Sequence, residues 1–353
     1  FITTQTITTK SPESTSCQND RGEDGHWGSG VPWLEARVLS YNSARMAITP
    51  AAAQADALAR LKALPGSLAS RERFTDAIRQ LSNAKTASFD GVPRSAFALL
   101  SAAIAHQVSV PLLVITPHPS QAEDLATDFR MFSEIPTATF PALESLEAAT
   151  GTGNVGLIRE EAVGSRLRIL KRLAVAVPSR AASENQSDSA WSSRGTPRVF
   201  FTSISALLQP VPAREEIASS TRSLRVGQQA DLEELRAWFI EHRFHATSAV
   251  DLPGEFSIRG GILDVFAPDW DRPVRVEFFD DQVESIRGFD VTTQRSQAAE
   301  ESVEITVVRS FFECKDSLLS FLPATTACLM LEPDQIMEAG RHYSERTEPR
   351  GLL

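Results

Sequence analysis

Residues 254–268 read GEFSIRGGILDVFAP and form the deciding segment of the sequence, because the expected fold is inferred outward from them. It has the composition of a strand, but a glycine pair, Gly260–Gly261, interrupts it near the middle. Glycine inside a strand weakens it, so the pair indicates a bulge or the close approach of another backbone. Arg259, just before the pair, would then be held on a stiff strand and could present its planar fork to a carboxylate. A surface arginine beside a structural bulge fits the spacing equally well, and the segment alone leaves both interpretations open.

Two more strand-like runs follow this segment. Val274–Phe279 alternates apolar and charged residues, which is typical of a strand with one buried face, and Gln282–Phe289 follows it closely. Asp280–Asp281 stands between them, where a hairpin must turn, and aspartate tolerates the positive φ of tight turns. Upstream, Asp231 is expected to cap a short helix. These features predict a small antiparallel α+β domain over residues 209–296.

The flanking sequence has a different pattern. Pro111–Thr116 and Val199–Thr202 are continuous, mostly apolar runs of strand length, and helical periodicity separates them. Such runs are typical of a parallel sheet that is buried on both faces. The expected fold class is therefore α/β, with a parallel α/β domain interrupted by the small antiparallel domain. Its first part is predicted at residues 51–208 and its second, truncated part at residues 297–353.

Two polar stretches are expected to lie outside the packed layers. Residues 1–50 are mostly Ser, Thr, Gly and charged residues in their first 45 positions, so they are predicted to form a disordered leader. Residues 177–197 are rich in serine and are predicted to form a polar loop insertion at the surface.

Composition excludes several classes of function. The net charge of −10 argues against a duplex-binding surface, because phosphate contacts need clustered Lys and Arg. Cys17, Cys314 and Cys328 are too few and too scattered for a disulfide framework or a metal site, which fits a reducing, cytoplasmic location. No apolar run approaches the roughly 20 residues that span a bilayer, so no membrane partner is expected.

Two glycine-containing segments bear on nucleotide binding. Gly151–Gly156 reads GTGNVG and matches the dinucleotide fingerprint, but no strand precedes it and no acidic residue follows about 20 positions later. Gly91–Ala96 stands where a phosphate-binding loop would precede a helix, yet it has no lysine, and Pro93 removes a backbone donor. We also find no catalytic constellation, so this fragment is not expected to be an enzyme. A nucleotide-binding enzyme, either a residual ATPase or an oxidoreductase using Gly151–Gly156, remains the alternative function.

A resemblance to a known family enters at the glycine-pair segment. Residues 254–268, VRVEFFDDQVESIR at 274–287 and TQRS at 293–296 resemble the second domain shared by UvrB and the transcription-repair coupling factor. The run EFFDDQVESIR leans towards the coupling factor, and the resemblance covers about residues 85–350. The sequence departs from the family at Asp280, where glycine is common, and in the insertion at 177–197.

The resemblance implies a degenerate helicase-like α/β domain, which agrees with the missing lysine near Gly91. It implies no cofactor in this fragment. In the full-length family ATP is bound elsewhere, by a translocase motor that would lie beyond Leu353. RNA polymerase and DNA would likewise be bound through those C-terminal regions. UvrB itself is a third interpretation, which the missing lysine and the acidic balance disfavour.

The partner implied by the resemblance is UvrA. On this interpretation the fragment is a monomeric docking region of a transcription-coupled nucleotide-excision repair factor that recruits UvrA to stalled RNA polymerase. Arg243 and Arg259, with Phe256 nearby, are the residues expected to contact UvrA. Two arginines around one aromatic make a plausible interaction hot spot, because arginine pairs bidentately and the aromatic ring supplies buried area.

Overall fold

A computed structural model of the chain describes residues 5–10, 50–84, 86–143, 161–176, 196–307 and 314–347. The strands in these ranges are β1 (Gln5–Lys10), β2 (Thr86–Asp90), β3 (Leu112–Thr116), β4 (Thr137–Phe140), β5 (Val199–Ser203), β6 (Thr221–Arg225), β7 (His245–Ala246), β8 (Glu255–Arg259), β9 (Ile262–Phe266), β10 (Val274–Phe279), β11 (Gln282–Phe289), β12 (Ser296–Ala299), β13 (Ser302–Thr306) and β14 (Ala327–Leu331). The α-helices are α1 (Pro50–Ala69), α2 (Glu72–Ala84), α3 (Phe97–Gln107), α4 (Pro119–Phe132), α5 (Glu161–Ala176), α6 (Ile204–Leu208), α7 (Arg214–Ser219), α8 (Leu232–Glu241) and α9 (Pro333–Thr347).

The larger layer is a parallel sheet with the strand order β2-β1-β14-β3-β5-β4. Every residue of β3 and β5 is buried. Because side chains alternate along a strand, Leu112 and Val114 pack with α3 and α4, whereas Leu113 packs on the opposite face with α5. The apolar runs at 111–116 and 199–202 are therefore buried on both sides, and the predicted α/β fold class with an inserted antiparallel domain is confirmed.

The N-terminal stretch differs from the expectation at residues 5–10. Its composition predicts a disordered leader over residues 1–50, but Gln5–Lys10 forms β1, with Ile7 paired to Leu329 on one side and to Ala87 on the other. The physical reason is that β14 and β2 would otherwise each have an unpaired edge inside the sheet, and a run rich in β-branched Thr and Ile suits that position. The remainder of the predicted leader up to residue 49 lies outside the described residues, as do the Gly151–Gly156 motif and residues 177–195 of the predicted insertion.

The smaller layer is a sheet with the order β12-β11-β10-β9-β8-β7, antiparallel except for the short β7–β8 pair. Asp231 caps α8 as predicted, because its carboxylate accepts hydrogen bonds from the backbone N–H groups of Glu233 and Glu234. Asp280 has a φ of 50° in the predicted turn between β10 and β11. Helix α8 covers one face of this sheet through Leu235 and Phe239.

The glycine pair of the deciding segment forms a turn between two strands, so the run at 255–266 is not one continuous strand. Arg259 pairs with Ile262 across this turn, and Gly260 has a φ of 59°, which favours glycine. At Gly261 a Cβ atom would lie 2.7 Å from the carbonyl oxygen of Phe278. The close approach of another backbone is therefore present, and the pair serves as a hairpin turn.

A two-stranded antiparallel sheet of β6 and β13 completes the smaller core. Leu224 of β6, with Val303 and Ile305 of β13, packs into the same apolar cluster as Phe239. The expected boundary at residue 296 therefore divides this packed unit, because alternate residues of β13 need the cluster to cover them.

Candidate docking face

Helix α8 covers one face of the smaller sheet, and we call the opposite face the outer face. At one end of the outer face, Phe266 and Phe289 are buried in an apolar cluster with Val250. Directly paired residues lie on the same face of a sheet. The pairings Arg259 with Ile262, Ile262 with Glu277, Asp264 with Arg275, and Arg275 with Arg287 therefore assign these side chains to one surface. The opposite, inner face carries the apolar residues that pack under α8: Leu263, Val265, Val274, Val276 and Ile286.

An acidic side chain organises the centre of the outer face. The carboxylate of Asp264 is 1% exposed, and both of its oxygens accept hydrogen bonds from Arg275, Nε to Oδ1 at 2.7 Å and Nη2 to Oδ2 at 2.9 Å. These hydrogen bonds raise the pKa of the Arg275 guanidinium above its ordinary value. The same guanidinium lies 4.9 Å from the ring centroid of Phe289. A bidentate pair with a ring behind it is a rigid arrangement.

Arg259 joins this network from the end of β8. Its Nη2 is 3.3 Å from Oδ2 of Asp264, and its side chain is 58% exposed. The guanidinium is therefore oriented at one edge by a buried carboxylate, while the rest of its fork faces solvent. This placement favours the first interpretation of the deciding segment, in which a stiff strand holds Arg259 so that its guanidinium can donate hydrogen bonds to a carboxylate.

Apolar groups flank the arginines on this sheet. Phe279, at the end of β10, is 70% exposed, and Ile262 of β9 is also exposed. Glu277 lies between them in register and accepts a hydrogen bond of 2.7 Å from the hydroxyl of Ser285. The exposed surface thus combines oriented cations with uncovered apolar area, which are the two ingredients of an interaction hot spot.

Phe256 does not belong to this surface, which corrects its predicted role. It is 2% exposed and lies on the inner face, where its ring stacks on Phe239 with centroids 4.9 Å apart. Strand periodicity explains the difference, because Phe256 precedes the outer-face residue Ser257 and so points to the covered side. Phe256 therefore contributes to the apolar core of the domain and is not exposed on the outer face.

Arg243 is exposed but does not meet Arg259. It follows α8 with a φ of 62°, and the hydrogen bonds from its own N–H to Ile240 and from Phe244 N–H to Phe239 form a Schellman helix end. His245 pairs with Glu255 at the start of β8, whereas Arg259 ends that strand. The four steps from Glu255 to Arg259 span ~13 Å at ~3.3 Å each, and Arg243 lies beyond the Glu255 end. The two predicted arginines therefore lie at opposite ends of β8.

Sequence reasoning overlooked Asp264 and Arg275. A single acid inside the apolar run ILDVF was the available signal, because a buried acid almost always has a partner. The partner itself could not be identified from the sequence, because it lies on the next strand and depends on the register.

The segment Gly91–Ala96, which occupies the position of a phosphate-binding loop but lacks its lysine, makes an internal contact through Arg94. Nε of Arg94 is 2.8 Å from Oε1 of the mostly buried Glu332, and its Nη2 donates to Gln335. A carboxylate thus engages the guanidinium that would otherwise be available to a phosphate. Among the described residues, no group of three acidic, histidine or cysteine side chains could hold a metal ion. None of the described helices is long and apolar enough to cross a membrane.

Known proteins are similar in sequence to this chain, and the similarity includes the strands of the outer face. Residues 223–311 match the family model of the UvrB interaction domain, which spans β8 to β11 and therefore the whole outer face. The chain is 34% identical to the transcription-repair-coupling factor of Mycobacterium tuberculosis over 229 residues, which are 65% of this chain. It is 26% identical to that of Bacillus subtilis over 61% of the chain and 30% identical to that of Staphylococcus aureus (strain MRSA252) over 58%.

Each matched segment is 16% of the relative's own length. Residues 223–311 are therefore similar to the UvrB interaction domain, in a chain that is similar to transcription-repair-coupling factors over about 60% of its length, as the sequence motifs indicate.

Proposed function

We propose that this chain is a protein-docking region that recruits UvrA to stalled RNA polymerase in transcription-coupled nucleotide-excision repair. The names of its relatives support a role in coupling transcription to repair, and the matched domain supports an interaction of the UvrB type with UvrA. Contacts with RNA polymerase and DNA are assigned to regions outside these residues, and the chain is proposed to be monomeric and to act in the cytoplasm.

The observation that carries the proposal is the orientation of Arg259 on the outer face. A free arginine side chain loses about 2 kcal/mol of rotamer freedom when it is fixed in a complex. Asp264 already restrains the Arg259 guanidinium, so part of this entropy is lost on folding and not on binding. The free donors of the fork match a carboxylate or a backbone carbonyl on the partner.

The apolar neighbours define the rest of the proposed contact. Ile262 and Phe279 are exposed on the same sheet as Arg259 and would be covered by a partner. Covering them contributes roughly 25 cal/mol for each Å² of apolar surface that is removed from water. Arg243, at the other end of β8, is retained as a peripheral contact on a large partner.

Binding of the 353-residue chain to purified UvrA, measured by calorimetry, tests the proposal. We expect Arg259→Ala to weaken binding at least tenfold, or about 1.4 kcal/mol, because a central oriented arginine is lost. The affinity of Arg259→Lys for UvrA should lie between those of the parent chain and Arg259→Ala, since lysine keeps the charge without the planar fork. Arg79→Ala is the matched control, as Arg79 is an exposed arginine on α2, in the parallel domain. Equal binding by folded Arg259→Ala and Arg79→Ala would contradict the proposal.

We further propose that the fragment is non-enzymatic and has no cofactor, with ATP bound elsewhere in the full-length relatives. The contact of Arg94 with Glu332 supports this, because the one arginine of the phosphate-loop position is engaged by a carboxylate. Pro93 and the missing lysine support it further, since a phosphate loop needs backbone donors and a cation that reaches the phosphates.

A further inference from the structure

Helix α5 of the parallel domain has two faces with different partners. Val163, Leu167 and Leu170 are buried in the core against the parallel sheet. Gly164, Arg168 and Lys171, spaced by four and three residues, form a second stripe along the helix. This stripe contacts residues 268–271, the loop that joins β9 to β10 in the smaller domain.

At Gly164 the helix and the loop meet backbone to backbone. A Cβ atom at this position would lie 1.9 Å from the carbonyl oxygen of Pro268 and 2.9 Å from its carbonyl carbon. Glycine inside a helix costs roughly 1 kcal/mol relative to alanine, so its presence calls for a packing reason. The reason here is that any side chain would separate the two domains.

Two cations of the same stripe hold the loop. Nε of Arg168 donates to the carbonyl oxygen of Asp269 at 2.9 Å, and its Nη1 is 2.8 Å from the carboxylate of Asp271. Nζ of Lys171 is 2.8 Å from Oδ2 of Asp269, whose side chain is 5% exposed. Burial raises the pKa of the Asp269 carboxyl, and the nearby charges of Lys171 and Arg168 act in the opposite direction.

The loop connects the two strands that form the centre of the docking face. Asp264 lies on β9 before the loop, and Arg275 lies on β10 after it. Trp270 anchors the loop to the rest of the smaller domain, because its Nε1 donates to the carbonyl oxygen of Glu304 at 3.2 Å. A contact that holds residues 268–271 therefore holds the rigid sheet to which they belong.

We propose that Gly164, Arg168 and Lys171 form an interdomain clamp that fixes the orientation of the smaller domain, and hence of its outer face, relative to the parallel sheet. Gly164 sets the distance between the domains, and Arg168 and Lys171 set the orientation of the smaller domain. The clamp itself does not depend on the identity of the docking partner. Its consequence, that the face is presented in one direction, rests on the proposed docking function.

Distance measurements between spin labels test the clamp. Labels are placed on cysteines that replace Arg79 of α2 and Glu284 of β11, in a chain with Cys17→Ser and Cys314→Ser so that the buried Cys328 is the one native thiol left. The unmodified clamp should give one narrow distance distribution. Gly164→Ala must open the gap from 1.9 Å towards the 3.4 Å at which ordinary contact begins, so we expect a shifted or broadened distribution.

Gly66→Ala is the matched control. Gly66 also lies inside a helix, and a Cβ atom there would meet nothing within 4 Å. The distance distribution of this variant should equal that of the parent chain. If Gly164→Ala does not fold, Lys171→Met keeps the glycine and removes the cation that faces Asp269, and it should broaden the distribution as well.

An unchanged distribution in folded Gly164→Ala, or in Lys171→Met where the former does not fold, overturns the clamp. Binding of UvrA to the same variants separates this result from the docking proposal. Loss of binding in Arg259→Ala with unchanged distances in Gly164→Ala would leave docking intact and remove the clamp. Altered distances with no effect of Arg259→Ala on binding would instead support the clamp and remove the docking proposal.

Discussion

The two sheets of this protein differ in how completely their faces are covered, because the outer face of the antiparallel sheet is buried only in part. The parallel sheet has apolar clusters on both faces, so its central strands β3 and β5 consist of buried residues. The antiparallel sheet is covered by α8 on its inner face and carries Arg259, Arg275, Arg287 and Ile262 on the other. A doubly covered sheet can support a fold but offers no sheet surface to a partner. This difference supports the proposal that the first sheet serves as a scaffold and the second serves recognition.

The largest effect that tests this contrast is expected between two phenylalanines of the antiparallel sheet. Phe256→Ala on the covered side should lower the free energy of unfolding by roughly 3–5 kcal/mol, because it removes a buried ring and leaves a cavity. Phe279→Ala on the exposed side should change it by less than ~0.5 kcal/mol. Urea denaturation measures both. Similar losses for the two variants would show that the two faces are not distinct.

A smaller effect is expected from the buried carboxylate of the outer face. Asp264→Ala leaves the largely buried Arg275 without its bidentate partner, and we expect a loss of about 3 kcal/mol in the free energy of unfolding. Arg259→Ala, which removes the exposed member of the same network, should cost less than about 1 kcal/mol. The measurement is again equilibrium denaturation. A greater loss for Arg259→Ala than for Asp264→Ala would mean that Arg259 supports the fold more than it serves a partner.

The smallest effect concerns the end of α8. Arg243 has a φ of 62°, where a residue with a Cβ atom is strained, so Arg243→Gly should be about 1 kcal/mol more stable than Arg243→Ala. Both variants lack the arginine side chain, so their difference reports the backbone alone. Thermal denaturation of the two variants shows which of them is more stable. If both variants also bind UvrA like the parent chain, Arg243 is removed from the docking surface.

Much of the architecture was predictable because local patterns carry it. The apolar runs at 111–116 and 199–202, the cap at Asp231 and the turn at Asp280 depend on neighbours within a few residues. Strand β1 was not predictable, because a short Thr-rich run has too few apolar residues to show the pattern of a buried strand. It becomes a strand through backbone pairing with β2 and β14, which are remote in the sequence.

The docking face was predictable in part. The position of Arg259 before a glycine pair identifies it, whereas its partner Asp264 becomes evident only when the strands are in register. Phe256 is expected at the surface because the family resemblance implies that it lies near Arg259 at the contact with UvrA. The two residues stand an odd number of positions apart along β8, so alternation places them on opposite faces.

Local sequence patterns predict the division into a parallel and an antiparallel layer, carry the family motifs of residues 254–296 and show that Gly91–Ala96 has no lysine. These properties follow from composition and from spacing along short segments. The packing of the folded chain sets which face of the antiparallel sheet is exposed, which carboxylate orients Arg259 and where α5 contacts the smaller domain. These depend on strand register and on contacts between residues remote in the sequence, such as Lys171 with Asp269, and no local pattern encodes them.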